Sequence, residues 1–172
     1  MLAAVLALAL VVPASPPSFR LTSPAFRDYS TIPARYTCDG AGLSPPLRWT
    51  RPPRGTRTLL LALTDTDVLD PGPNSSRWGP YFVQWTVWGL RPRAGGLRRA
   101  AALTQVGLNS YLVLGYRGPC PRRGDRPHHY VFTLYALRTA VQLQPGTPVD
   151  TFYRSLLGRT LGLAILTGLY GR

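Results

Sequence analysis

Proline and glycine interrupt this chain so often that most of it has room only for short structural elements. The 172 residues include 18 Pro and 17 Gly, which recur at short intervals after the first dozen positions. Proline removes a backbone donor and glycine weakens the interior of a helix or strand, so ordered segments end where these residues cluster. Many short strands separated by turns are typical of an antiparallel β-sandwich or barrel.

Five runs of apolar or β-branched residues predict strands. Thr58–Thr64 is continuously apolar in its centre, which is expected of a strand that is buried on both faces. Tyr81–Trp88 is aromatic and β-branched, and His128–Leu137 is the longest candidate. Tyr111–Leu114 predicts a short strand, and Ala164–Tyr170 predicts a closing strand at the end of the chain.

One helix is predicted before that closing strand. It follows Pro148, and Asp150 can cap its first turn. Apolar side chains then recur at helical spacing at Phe152, Leu156 and Leu157. We expect the helix to extend to about Leu163.

The N-terminal segment has the pattern of an export signal. Residues 1–12 are almost wholly apolar, and Val12-Pro13-Ala14 offers a cleavage site with small residues. The run is too short to span a bilayer as a helix, and no cysteine follows it to carry a lipid anchor. Residues 1–14 are therefore predicted to be a signal peptide of a periplasmic or extracellular protein, without a transmembrane anchor. Residues 15–172 are predicted to form a single domain, because they are too few for two.

The charge balance is strongly basic. The chain has 20 Arg and no Lys, seven Asp and no Glu, and a net charge of +13. A GC-rich coding sequence would account for this composition without any functional reason. Whatever its origin, the high positive charge has the same physical consequence. Such a chain adheres to phosphate-bearing surfaces such as nucleic acid, anionic lipid or an acidic cell wall, without sequence specificity. The Arg-rich stretches Arg91–Arg99 and Arg122–Arg126 are expected to be solvated loops.

Cys38 and Cys120 are the two cysteines, and in an oxidising compartment we expect them to form one disulfide. Two buried thiols are the alternative. The spacing of cysteines and histidines does not fit zinc, and the calcium-loop pattern needs a Glu that the chain lacks. No metal or cofactor is predicted.

A few polar side chains occur where apolar ones are expected. Asp65, Asp67 and Asp70 follow the buried strand directly, where polar groups can face a cavity or cap turns. Gln84 is the one strongly polar residue in an aromatic strand, and its amide needs a partner or a wet cavity. On the predicted strand His128–Leu137, His128 shares a face with Tyr130. The pair offers two donors to phosphate or carboxylate oxygens.

Catalytic motifs are missing from the chain. It contains no G-x-S-x-G elbow and no glycine-rich phosphate loop of the common types. We therefore predict that the protein is not an enzyme.

Five segments resemble one known family. Its bacterial members are phosphatidylethanolamine-binding proteins, also called Raf kinase inhibitor-like proteins. The similar segments are Ile32–Gly40, Leu43–Trp49, Leu63–Asp67, Gly115–Pro121 and Pro127–Leu137. The resemblance implies a β-sandwich of two antiparallel sheets with a few short helices, one of them near the C-terminus.

The resemblance also implies a small pocket for phosphate, carboxylate or a phospholipid head group. Carried over by motif, its residues are Asp65, Asp67, Gly118, Pro119, His128 and Tyr130. Two further positions depart from the family pattern, with Gln84 in place of the usual His and Arg117 in place of the usual Gly. Gln84 can donate to an oxyanion but never carries a charge. Arg117 either clamps the anion or points outward and narrows the mouth of the pocket.

The predicted function is thus non-catalytic binding of a small anionic ligand. The alternative is a secreted inhibitor or regulator of a protease or kinase that recognises its partner through the Arg-rich loops. No specific nucleic-acid partner is expected, and any protein partner is unknown.

Overall fold

Two β-sheets pack against each other in the computed structural model, which describes residues 19–69 and 81–172. The strands of the smaller sheet, in spatial order, are β1 (Leu21–Thr22), β3 (Leu47–Trp49) and β6 (Gly95–Leu97). The strands of the larger sheet, in spatial order, are β2 (Ser30–Thr31), β8 (Thr160–Tyr170), β7 (His128–Leu137), β4 (Thr58–Leu69) and β5 (Tyr81–Leu90). Neighbouring strands are antiparallel except for the short parallel pair of β2 and β8. The predicted mainly-β sandwich is confirmed.

The apolar run of β4 explains why this strand lies in the middle of the molecule. Leu59, Leu61 and Leu63 face the smaller sheet and join the main core, whereas Leu60 and Ala62 on the opposite face pack in a second cluster. All five are at most 1% exposed. A strand buried on both faces needs continuous apolar sequence rather than alternation, as predicted for this segment.

The helix is shorter than predicted. It comprises α1 (Val149–Arg154), and Asp150 forms an ion pair with Arg154 at 2.7 Å instead of a side-chain cap. The expectation that the helix extends to Leu163 is wrong, because Gly158 adopts a left-handed conformation with φ of +65° and β8 begins at Thr160. Such a residue ends a helix, and glycine adopts this conformation without strain.

The strand predicted at Tyr111–Leu114 is wrong as well. These residues form a turn in which Leu112 has a positive φ of 62°, and a single isolated bridge joins Leu108 to Leu114. The buried side chain of Asn109 accepts hydrogen bonds from the backbone N–H groups of Tyr111 and Val113 and so competes with strand pairing.

The two Arg-rich stretches differ from each other. The first was expected to be a loop throughout, but β6 occupies its centre and pairs with β3. The second, Arg122–Arg126, forms an exposed turn. Residues 1–18 and Asp70 lie outside the described residues, so the predicted signal peptide and this third aspartate have no structural counterpart here. Within the two described stretches, no helix is long and apolar enough to cross a membrane.

Candidate functional site

Three adjacent strands of the larger sheet meet at one end of the core and bring the predicted polar residues together. Asp65 on β4 is paired with Tyr130 on β7 and with Phe82 on β5. Asp65 lies on the same face as Leu61 and Leu63, so its carboxylate is placed at the edge of the core between the two sheets. The alternation of the apolar strand thus decides where its first carboxylate points.

A β-bulge at Gln84 shifts the register of β5 relative to β4. Leu63 pairs with Trp85 and the next residue, Thr64, pairs with Val83, so Gln84 has no partner on β4. The backbone carbonyl of Gln84 instead accepts a hydrogen bond from the backbone N–H of Arg117 at 3.0 Å. The extra residue turns Phe82 to the face that carries Asp65, as bulges commonly do beside binding sites.

A cleft of about 570 Å³ opens at this end of the sheet. Its polar wall consists of Asp65, Asp67, Gln84, Arg122, Asp125 and His128. Its apolar wall consists of Val68, Phe82, Tyr111, Cys120 and Pro121. A lining of polar and apolar side chains together suits an amphipathic ligand with a charged group at one end.

The buried Asp65 and His128 form the centre of the polar wall. His128 Nδ1 lies 2.9 Å from Asp65 Oδ2, and both residues are less than 10% exposed. Asp65 Oδ1 accepts the backbone N–H of Asp67 at 3.0 Å. On the other side of the ring, His128 Nε2 lies 3.6 Å from Asp125 Oδ2. This arrangement fixes the orientation of the ring and leaves Nε2 as the atom that can contact a ligand.

Asp67 links the end of β4 to β7 through contacts with His129. Its Oδ2 accepts the backbone N–H of His129 at 2.7 Å and lies 2.9 Å from His129 Nδ1, while its Oδ1 lies 3.0 Å from Arg126. Burial opposes the ionisation of Asp67, but the hydrogen bonds from His129 and the nearby positive charges outweigh it and lower the pKa of this carboxyl below its usual value.

Gln84 is buried and its amide nitrogen is fully used. With the side-chain amide oriented to satisfy these hydrogen bonds, that nitrogen donates to the backbone oxygens of Arg117 at 2.6 Å and Gly118 at 3.0 Å. Both hydrogens of the amide are therefore engaged, and the amide oxygen can act only as an acceptor. The expectation that Gln84 donates to an oxyanion does not fit this geometry.

Tyr130 lies behind the cleft rather than in its lining. Its side chain is fully buried, and its ring lies 6.3 Å from that of His128 at an interplanar angle of 23°. The hydroxyl is close to the Asp65 carboxylate without the geometry of a full hydrogen bond. Burial, reinforced by the charge of Asp65, raises the pKa of Tyr130 far above its usual value.

Of the segment Arg117–Cys120, only Cys120 belongs to the lining of the cleft, so the predicted site residues Arg117, Gly118 and Pro119 are not brought into it. Arg117 is exposed, and its guanidinium lies 5.4 Å from the centre of the Tyr111 ring, which is the outward of the two predicted orientations. Gly118 packs so closely that an added Cβ would lie 2.7 Å from the carbonyl oxygen of Tyr36. Pro119 accepts the backbone N–H of Cys38 at 3.0 Å, next to the disulfide between Cys38 and Cys120.

Six lining residues were not among the predicted site residues, namely Val68, Phe82, Tyr111, Pro121, Arg122 and Asp125. Phe82 and Tyr111 form an edge-to-face pair with ring centres 4.7 Å apart, and Arg122 and Asp125 belong to the turn that was expected to be merely solvated. Asp125 is three residues before His128, and this spacing was the one available signal. The bulge that aims Phe82 has no sequence signature.

Carboxylates outnumber cations on the lining, with three aspartates against Arg122 and, when protonated, His128. Within the described stretches, no group of three or more His, Cys, Asp or Glu side chains is arranged to hold a metal ion. The lining therefore presents both negative and positive side chains to the cleft.

Comparison with known proteins gives a consistent result. A family model described as phosphatidylethanolamine-binding protein matches residues 22–171. A UPF0098 protein of Methanothermobacter thermautotrophicus is 38% identical over 159 residues, which cover 88% of this chain and 98% of that protein. A putative lipoprotein, LppC, of Mycobacterium tuberculosis is 36% identical and covers 92% of this chain and 74% of that protein.

Solved structures show the same fold. The putative phosphatidylethanolamine-binding protein homologue CT736 of Chlamydia trachomatis is 33% identical with a TM-score of 0.78, and the match covers 90% of this chain and 98% of that one. YbcL of Escherichia coli has a TM-score of 0.76 over the same shares of the two chains. At 23% identity, the likeness to YbcL concerns the fold alone.

Proposed function

The chain belongs to the phosphatidylethanolamine-binding protein family, and from this premise we propose that its cleft binds a phosphate-bearing head group without chemical turnover. The observation that carries the proposal is the buried Asp65–His128 pair, with His128 Nε2 available toward the cleft. Burying an imidazole and a carboxylate removes hydration from both groups, which their mutual hydrogen bond offsets, and a pair of this kind at the edge of a cleft is a candidate for a functional role.

The charges of the lining support a zwitterionic ligand. Arg122 and the His128 ring donate to phosphate oxygens, whereas Asp125 and the amide oxygen of Gln84 accept from an ammonium group. A plain phosphate meets the same donors but also three carboxylates, which repel it. We therefore propose that phosphoethanolamine binds more tightly than inorganic phosphate.

The lining also supports binding without catalysis. Among the described residues that form the cleft there is no serine or threonine, and Cys120 is held in the disulfide. An activated hydroxyl or thiol nucleophile next to His128 is therefore missing from these residues. We expect no release of nitrophenol from nitrophenyl phosphate or nitrophenyl acetate above the rate in buffer.

We further propose that the protein is exported. Three observations support this: the apolar residues 1–12, the disulfide between Cys38 and Cys120, and the description of the mycobacterial relative as a putative lipoprotein. Expression of the whole chain in an actinobacterial or proteobacterial host, followed by cell fractionation and intact mass measurement, tests it. Recovery of the full-length chain from the cytoplasm with free thiols contradicts the proposal.

Calorimetry with soluble ligands tests the head-group site directly. Phosphoethanolamine, ethanolamine and inorganic phosphate are titrated into the native protein and into His128→Ala, which removes the ring that faces the cleft. The affinity for phosphoethanolamine is expected to fall about tenfold or more, as for the loss of one charge-assisted hydrogen bond. His129→Asn is the matched control, because His129 is not part of the lining and asparagine retains a donor for Asp67. Equal binding by native protein and His128→Ala contradicts the proposed site.

A further inference from the structure

An exposed apolar turn stands at the mouth of the cleft. We call residues 109–115 the rim loop. Four consecutive large side chains on it are at least 40% exposed, namely Tyr111, Leu112, Val113 and Leu114. Single exposed apolar residues are ordinary on protein surfaces, but a contiguous group of them marks a surface that meets another apolar phase.

The backbone of the rim loop is firmly held, so the exposure is a built feature. Asn109 is fully buried; its side-chain oxygen accepts the N–H groups of Tyr111 and Val113, and its nitrogen donates to Gly115 at 3.0 Å. Ser110 exchanges two hydrogen bonds with Val83 on β5, one through its backbone and one through its hydroxyl. The loop therefore presents its apolar side chains outward from a fixed base.

Leu112 is unfavourable in two ways at once. It has a left-handed backbone with φ of 62°, and its side chain is 58% exposed. Asparagine or glycine adopts this backbone with less strain and is better solvated. Most of the leucine side chain is left in solvent by the fold, which suits contact with an apolar phase outside the protein.

The rim loop is continuous with the apolar wall of the cleft. Tyr111 lines the cleft, its ring contacts Phe82, and the Arg117 guanidinium lies over its outer face. A ligand with a polar head in the cleft and an apolar tail would leave along this wall toward Leu112. Continuity between head-group site and exposed aliphatic turn suits a lipid that remains partly in its bilayer.

Exposed arginines lie on two segments next to the cleft. Arg117 and Arg122 are exposed, and the side chains of Arg123 and Arg126 are 78% and 81% exposed, although each lies within 4 Å of an aspartate. The whole chain carries +13. An apolar tip with exposed arginines near it is complementary to an anionic bilayer surface, where aliphatic groups enter the interface and cations approach phosphates.

Building on the proposed function, we propose that the rim loop inserts into the interface of an anionic lipid bilayer and holds the cleft mouth against the head groups. The rim loop contacts the bilayer. Binding of a soluble head group in the cleft is a separate binding event. Tyr111 serves both, whereas Leu112, Val113 and Leu114 serve the bilayer alone.

Sedimentation with vesicles tests the proposal. The native protein is mixed with vesicles of two parts phosphatidylcholine to one part phosphatidylglycerol, and with vesicles of phosphatidylcholine alone. The variant Leu112→Asn/Val113→Ser/Leu114→Ser removes the aliphatic tip and keeps Tyr111. Its partition coefficient on the mixed vesicles is expected to fall about tenfold or more. The native protein is expected to bind the neutral vesicles far more weakly than the mixed ones.

The matched control is Leu157→Ser/Leu163→Thr/Ile165→Thr. These three side chains are 48%, 49% and 54% exposed, and Leu163 pairs with Tyr135, seven residues along β7 from His128, or about 23 Å away. This control is expected to bind the mixed vesicles like the native protein. Native protein that stays in solution, or equal losses in the two triple variants, overturns the proposal. Failure of native protein to bind vesicles would reassign the rim loop to a protein partner.

Two further measurements separate this proposal from the proposed function. The rim-loop variant is expected to bind phosphoethanolamine in calorimetry as the native protein does, and His128→Ala is expected to keep its vesicle binding. Loss of vesicle binding in His128→Ala would show that the head-group site alone holds the bilayer, and would overturn the role of the rim loop.

Discussion

His128 and His129 are neighbours in the chain but do different work, because successive side chains of a strand point to opposite faces. His128 is buried against Asp65 at the edge of the core and lines the cleft. His129 is half-exposed and holds Asp67, which ties the ends of β4 and β7 together. The alternation of β7 thus separates an imidazole that faces the cleft from one that joins two strands.

The lowered pKa of Asp67 predicts a pH-dependent contribution to stability. Because the folded-state pKa lies below the unfolded one, the stabilisation is fully present above the ordinary aspartate value of about 3.9 and is lost as the pH falls through the folded value. Asp67→Asn is expected to lose about 1–2 kcal/mol at pH 7 through its weakened hydrogen bonds. Urea unfolding at pH 7 and at lower pH measures the difference, which should shrink on acidification. A constant difference across the range contradicts this assignment.

At the scale of elements, short irregular segments place the site. The bulge at Gln84 aims Phe82, the turn at Arg122–Arg126 supplies Asp125, and the rim loop supplies Tyr111. The regular strands hold these segments in register, and the irregular ones bring in the side chains that the alternation cannot reach.

The rim loop depends on one buried amide. Asn109→Ala removes three hydrogen bonds to the backbone of the loop and leaves those groups without their partner. We expect a loss of about 1–3 kcal/mol in the free energy of unfolding and faster hydrogen exchange at Tyr111 and Val113. Gln142→Ala, at an exposed position, is the control and should change neither quantity. Unchanged exchange in Asn109→Ala would mean that the loop is held by other contacts.

At the scale of the whole molecule, the disulfide joins two distant segments, of which the one that contains Cys120 lines the cleft. Cys38 and Cys120 are 82 residues apart, and the guanidinium of Arg172 donates to both sulfurs while pairing with Asp39. The disulfide joins the segment of Cys38 to the segment after Gly118, and the contacts of Arg172 bring the last residue of the chain to the same place.

Removal of the disulfide is expected to weaken the protein substantially. The chain-entropy model gives about 4–5 kcal/mol for a closed loop of this length. The variant Cys38→Ser/Cys120→Ser should unfold at lower urea concentration than the oxidised protein by a corresponding amount. The reduced native chain is the control for the serine substitutions and should behave like the double variant. Equal midpoints for the oxidised and reduced native protein would contradict a stabilising role.

The sequence by itself determined the sandwich, most of the long strands and the central residues of the site. The continuous apolar run of β4, the alternation of β7 and the motifs around Asp65 and His128 are local patterns that reflect burial directly. The tertiary structure decided the rest, because it depends on contacts between distant segments. Asn109 turned a strand-like run into the rim loop, the glycine at 158 ended the helix early, and the bulge at Gln84 determined which side chains face the cleft. Hydrophobic periodicity records which side chains are buried, whereas the pairing of one strand with another is fixed only when the chain has folded.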